Sequence, residues 1–175
     1  EIEVAANCRG RGTLARVLRA PEDFVFQIPE SVTLKEAVLV EPLSIAIHAV
    51  RLAQLAPGQN VLIQGSGTIG LLAAAVARAF GAKSVCVFDI NKARLDFAKD
   101  LLDDCVTFTA DITSTPREEA ARFKEKMNLE DGVEVVFECT GIESFVRMGI
   151  FASATGATFV QIGLRKPDIN LPILA

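Results

Sequence analysis

From about Asn60 onward, short runs of consecutive apolar residues alternate with stretches whose apolar residues recur every three to four positions. The runs Val61–Gln64, Ser84–Phe88, Val106–Phe108, Val133–Phe137 and Ala157–Ile162 read as strands. Runs without polar alternation predict strands buried on both faces. Between them, Thr68–Phe80 predicts a helix closed by Gly81, which suits the left-handed position after a helix end. Asn91 is placed to cap a second helix running to about Leu101, with Ala93, Leu95, Phe97 and Ala98 available to its inner face. Pro116 suits the first position of a charged amphipathic helix reaching Met127, and a short helix through Phe145 and Met148 follows Gly141. Strand and helix in strict alternation predict right-handed crossovers and a parallel α/β sheet, doubly wound.

The first 59 residues carry a different pattern. Gly10, Gly12 and Pro21 punctuate short segments, with Thr13–Leu18 and Phe24–Gln27 as candidate strands. Pro29-Glu30-Ser31 begins a helical, apolar stretch that contains Glu41-Pro42, and Ala56-Pro57-Gly58-Gln59 turns the chain into the first strong strand. The boundary between the two patterns falls between Gln27 and Asn60.

Charge narrows the partners. The 175 residues carry a formal net charge of −4, which argues against a nucleic-acid surface and a polybasic membrane anchor. Half of the residues are hydrophobic, yet the apolar stretch Leu71–Ala77 ends at Arg78, far short of a membrane span. The chain opens on Glu1 and stops in an apolar stretch at Leu174-Ala175, so the expectation is a piece of a longer protein. Cys8, Cys86, Cys105 and Cys139 are widely spaced, without the C-x-x-C clustering of a structural zinc site. They are expected as reduced thiols of an intracellular, cytoplasmic protein, with Cys86 a small core residue.

The candidate chemistry lies at the strand ends. Gly65-Ser66-Gly67-Thr68-Ile69-Gly70 follows a strand, opens a helix and fits G-x-G-x-x-G. In the dinucleotide reading Gly65 permits the tight turn, Gly67 admits the pyrophosphate, and Gly70 lets helix and strand approach. Asp89 ends the next strand, at the spacing where a carboxylate accepts bonds from adenosine ribose hydroxyls and repels a 2′-phosphate. NAD is therefore favoured over NADP, and Arg94 softens the preference because a guanidinium suits a phosphate. Cys139 and Thr140 follow a strand at its carboxyl end, where crevice lining and simple packing are equally open readings.

Glu41 is an acid in an otherwise apolar stretch. Either it meets a partner there, or it is a helix-start acid before Pro42 stabilised by the helix dipole. His48, the sole histidine, lies two turns later, too far along a helix axis to share a metal directly with Glu41, and is expected to be packed and hydrogen-bonded. One histidine and no G-x-S-x-G elbow leave a nucleophilic triad unsupported, and the glycine loop lacks the lysine of a P-loop.

Taken in order, Gly12-Thr13-Leu14-Ala15-Arg16, Pro21-Glu22-Asp23-Phe24, Val40-Glu41-Pro42-Leu43-Ser44, the glycine loop, Phe88-Asp89 and Glu138-Cys139-Thr140-Gly141 span nearly the whole chain. Together they resemble the medium-chain, zinc-dependent polyol dehydrogenases, such as the sorbitol, xylitol and L-arabinitol enzymes. The resemblance implies that residues 1–40 are the tail of a β-rich, GroES-like catalytic domain with its linker. Residues 41–175 would be an NAD-binding Rossmann domain, incomplete at its C-terminus. It implies that Gly65, Gly67, Thr68, Ile69 and Gly70 hold the pyrophosphate, and that Asp89 and Arg94 bind the adenosine ribose. Cys139, Thr140 and Gly141, with Ile162, Gly163 and Leu164, would line the nicotinamide half.

Glu41 matches the family glutamate that reaches the catalytic zinc through water and contacts substrate. The family's cysteine, histidine and glutamate zinc ligands belong to a preceding region, so the isolated chain is expected to be inactive. The stretch Val4–Gly10 departs from the family pattern near the substrate pocket. The implied cofactors are NAD and zinc, the implied partners a small polyol and further copies of the full-length chain. Two other readings stay open: a related dehydrogenase of simple alcohols or threonine-like substrates, and a non-catalytic NAD-binding module.

Overall fold

The computed structural model describes residues 16–17, 19–165 and 168–172. The chain divides into two compact units, Glu1–Val38 and Leu39–Ala175. In the first unit, Glu22–Phe24 forms a single 3-10 turn, and the residues after it are extended but unpaired. The strand expected at Phe24–Gln27 is therefore not formed. Phe24, Val25 and Phe26 are exposed, so the apolar run lacks the partner surface that would make it a strand. Thr13–Leu18 falls, apart from Arg16 and Val17, outside the described residues. A short helix, α1 (Leu34–Ala37), begins at a reciprocal capping box between Thr33 and Glu36.

The helical stretch expected from Pro29 is thus broken in two, because the second unit starts a new helix, α2 (Val40–Leu52). There follow β1 (Asn60–Gln64), α3 (Thr68–Ala79), β2 (Ser84–Asp89), α4 (Lys92–Leu101), β3 (Val106–Thr109), α5 (Pro116–Met127), β4 (Val133–Glu138), α6 (Glu143–Ala152) and β5 (Ser153–Gln161). Every pairing is parallel and the strand order is β3-β2-β1-β4-β5. This is the order of a Rossmann fold through its fifth strand.

The punctuation explains the element ends. After α3 the Gly81 N–H bonds the Arg78 carbonyl and the Ala82 N–H bonds Ala77, with Gly81 at φ +91°, the reciprocal pair that closes a helix on a left-handed glycine. Asn91 caps α4 through the Arg94 N–H, and Thr115 with Glu118 forms a capping box in front of Pro116.

Alternation along β1 separates two layers. Val61 and Ile63 share a cluster with Ala46, Ala49 and Val50 of α2, Ala73, Ala74 and Ala77 of α3, and Leu95 and Ala98 of α4. Leu62 faces the opposite layer, with Phe123 of α5 and Phe145 and Met148 of α6. There Phe88 stacks on Phe108 at 5.5 Å and meets Phe145 edge-on at 4.9 Å. The inner face of α4 is narrower than expected. Leu95 and Ala98 are buried, but Ala93 and Phe97 are exposed, because the pair one turn apart that meets the sheet leaves Ala93 and Phe97 around the cylinder. Among the described residues no helix is long and apolar enough to cross a membrane.

Candidate functional site

Chain order reverses between β1 and β4, and the crevice at the carboxyl ends of these strands is the place where α/β sheets bind ligands. Gln64 and Glu138 sit opposite each other at those ends. Gly65 leaves β1 at φ +101°, its N–H donating to the Phe88 carbonyl at 2.7 Å. A side chain there would also strike the Thr140 methyl at 2.8 Å. Gly70 is required for a different reason, since a Cβ would lie 1.9 Å from the Gly65 carbonyl oxygen. That contact measures how closely α3 returns over the loop.

Gly67 has no such constraint. Its φ of −78° suits any residue, and a Cβ would meet no heavy atom within 4 Å. It occupies the N-cap of α3, where no side chain satisfies the first N–H groups. Gly67 and Thr68 are exposed, Ile69 is half-buried, and Gly70 is buried. The result is an open, uncapped helix N-terminus, with the partial positive charge that attracts anions.

Asp89 closes this seat from the neighbouring strand. Its Oδ2 accepts the Ser66 N–H at 2.7 Å and the Ser66 hydroxyl at 2.6 Å, and its Oδ1 accepts the Asn91 N–H at 2.8 Å. Burial alone would raise its pKa. The Ser66 and Asn91 bonds and the nearby Arg94 charge outweigh burial and hold the carboxyl below the usual range. A carboxylate offers about four acceptor sites, so three bound donors leave one open on Oδ1. Arg94 itself is exposed in the first turn of α4.

The loops after β4 and β5 interlock beside Gly65. A Cβ on Gly163 would lie 2.3 Å from the Gly141 nitrogen, and one on Gly141 (φ +68°) would lie 2.8 Å from the Arg165 nitrogen. Ile162 packs on the core, Cys139 is half-buried beside it, and Leu164 is 93% exposed. Burial, reinforced by the Glu138 charge, pushes the Cys139 thiol up to about 12. The fold therefore brings together Gly65, Asp89, Thr140, Gly141 and Gly163, with the exposed N-terminus of α3 alongside.

Three contributors carried no separate expectation. Ser66 ties the loop to Asp89; Glu138 is fully buried and binds both exit loops; and a cavity of about 80 Å³ opens between Phe88, Ala110, Asp111, Pro116, Phe145 and Met148. A small polar residue between two glycines, and an acid ending an apolar strand, were the available signals for the first two.

Glu41 and His48 lie on α2 rather than at the strand ends that form this group. Glu41 lies in the first turn of α2 and is exposed, the arrangement of a helix-start acid. His48, expected to be packed, is exposed: the buried side of α2 runs through Ala46, Ala49 and Val50, and position 48 projects to the other side. Among the described residues no group of three His, Cys, Asp or Glu side chains converges closely enough to hold a metal ion. These residues fit a dinucleotide and do not by themselves fit a zinc.

Comparison with known proteins agrees with this geometry. The family model described as zinc-binding dehydrogenase matches residues 68–174. The chain is 42% identical over 175 residues to the protein named probable D-xylulose reductase A of Aspergillus terreus, covering 100% of this chain and 49% of that protein. It is 41% identical over 164 residues to D-xylulose reductase A of Aspergillus oryzae, covering 94% and 45%. Galactitol-1-phosphate dehydrogenase from Escherichia coli superposes with a TM-score of 0.81 at 29% identity, over 94% of this chain and 46% of that one. The chain spans about half the length of the curated relatives it matches. The family model covers more than half of this chain, and the chain belongs to the zinc-binding dehydrogenase family.

Proposed function

We propose that this chain forms the nucleotide side of an NAD-linked dehydrogenase that interconverts a polyol and its ketose. The names of its fungal relatives point to xylitol and D-xylulose as the first pair to test. The observation that carries the proposal is Gly67: neither its backbone nor its surroundings require glycine, so the space it leaves is explained by a ligand. The uncapped N–H groups of Gly67, Thr68, Ile69 and Gly70 would hold the pyrophosphate. Asp89 would accept one ribose hydroxyl on Oδ1, and a second on Oδ2 when the Ser66 hydroxyl turns away, with Arg94 at its flank. Cys139, Thr140, Gly141, Ile162, Gly163 and Leu164 would line the nicotinamide half. When bound, the nicotinamide supplies the hydride acceptor. The chain's own work is to hold it and to keep an ionised Asp89 where a 2′-phosphate would otherwise sit.

On this reading residues 1–40 are the end of the catalytic, GroES-like domain and its linker, and residues 41–175 the NAD-binding domain, incomplete at its C-terminus. Glu41 is proposed to act on the metal side through water. No step is assigned to zinc, because the described residues form no ligand set for it.

The test uses the full-length protein. Xylitol-dependent NADH formation is expected, together with a loss of NAD affinity in Asp89→Ala that is much larger than any loss of NADP affinity. Equal effects on the two nucleotides would refute the ribose assignment. Absence of activity on a panel of polyols, with activity on simple alcohols or threonine, would move the substrate class.

A further inference from the structure

Glu138, the last residue of β4, has no exposed surface. A carboxylate taken out of water is costly unless its oxygens are bonded. Here Oε1 accepts the Thr140 N–H at 2.8 Å and the Thr140 hydroxyl, while Oε2 accepts the Gly141 N–H at 2.8 Å and the Gln161 amide at 2.7 Å. Three of these donors lie on the loop after β4, and the fourth is the side chain of Gln161, the last residue of β5. The Glu138 carbonyl adds a second grip, accepting the Ile162 and Gly163 N–H groups at 2.8 and 2.9 Å. Gln161 in turn donates to the Gly163 carbonyl at 2.6 Å. One residue thus holds both loops, and it does so where Gly163 nests against Gly141 and Thr140 touches Gly65.

We propose that Glu138 is a positioning residue for the cofactor: its buried carboxylate fixes the two loops as one rigid wall on the nicotinamide side. The inference rests on the dinucleotide reading above. Only an acceptor-only group satisfies four converging donors. A glutamine of the same shape would turn an N–H toward either Thr140 or Gly141, so one loop must release. Asp89, on the adenosine side, bonds Ser66 and Asn91 and makes no hydrogen bond to Glu138 or its donors, which separates positioning from general structural damage.

The experiment compares the full-length protein with Glu138→Gln, measuring NADH and ADP dissociation constants by calorimetry. ADP probes the adenosine side alone. Glu138→Gln is expected to weaken NADH at least tenfold, to raise KM for NAD, and to change ADP binding less than twofold. Gln161→Leu, at an exposed position, removes one donor and keeps the test available should Glu138→Gln fold poorly. It is expected to weaken NADH several-fold with the same indifference to ADP. A variant that loses NADH and ADP equally, or neither, overturns the positioning role while the dinucleotide reading stands. A wild-type protein that binds neither nucleotide overturns both.

Discussion

Replacing Gly67 with alanine separates folding from binding. In the folded chain the new methyl meets nothing within 4 Å, and φ −78° with ψ −176° is open to any residue. Loss of unfolded-chain freedom favours alanine by about 0.4–1 kcal/mol. Alanine is a poorer N-cap than glycine by about 0.5–1 kcal/mol. The two nearly cancel, so stability should stay within about 1 kcal/mol of the parent. Binding should not. A methyl in the pyrophosphate seat displaces at least one charge-assisted hydrogen bond, worth about 1.5–3 kcal/mol. At 1.4 kcal/mol per tenfold, this corresponds to a loss of about 10- to 150-fold in NAD affinity. Thermal melting and NADH titration of Gly67→Ala in the full-length protein measure the two halves. An unchanged melting temperature with unchanged NADH affinity would refute the reasoning, because the open space at Gly67 would then have no occupant.

Three further outcomes follow from the same geometry. Gly70→Ala should behave in the opposite way, since its Cβ would lie 1.9 Å from the Gly65 oxygen; overpacking of this kind costs about 1–3 kcal/mol, and the melting temperature should fall by several degrees even without nucleotide. Asp89 has a folded pKa held below its unfolded value, so its stabilisation is fully present above the unfolded pKa and is lost as pH falls through the folded one. Acid titration of stability should therefore show a loss below about pH 4 that is reduced in Asp89→Asn. Burial pushes the Cys86 thiol up to about 12, and Cys139 to a similar value, so iodoacetamide at pH 8 should leave both unlabelled in the native protein and label both in denaturant. Rapid native labelling of Cys139, read by peptide mass spectrometry, would contradict its environment.

The parallel sheet was legible because the central strands β1, β2 and β4 are largely apolar runs and three helices carry clear punctuation: Gly81, Asn91 and Pro116 do what their chemistry predicts. Local pattern failed where tertiary surface decides. Phe24–Gln27 has strand composition but no strand beside it among the described residues, and Phe97 is apolar but sits on the wrong side of α4. His48 shows the same limit, for an apolar neighbourhood in sequence did not mean a buried one in space. Within the candidate site, the glycines and Asp89 could be read from spacing. Glu138 showed only as an acid ending an apolar strand; its role was not legible, because its four donors come from Thr140, Gly141 and Gln161, the last 23 residues away at the end of another strand.

The central place of β1 also sets an order of assembly. Its partner β2 begins 24 residues after it, whereas its pairing with β4 joins residues as far apart as Asn60 and Glu134, 74 positions along the chain. Closing the longer loop costs about 1 kcal/mol more in chain entropy, so the β1–α3–β2 unit, bearing the glycine loop and Asp89, is favoured to form first. The wall carrying Glu138 and Thr140 docks afterwards. A partly folded chain would thus display an adenosine-binding half before it has anywhere to seat the reactive ring. Nucleotide present during refolding should stabilise that early half.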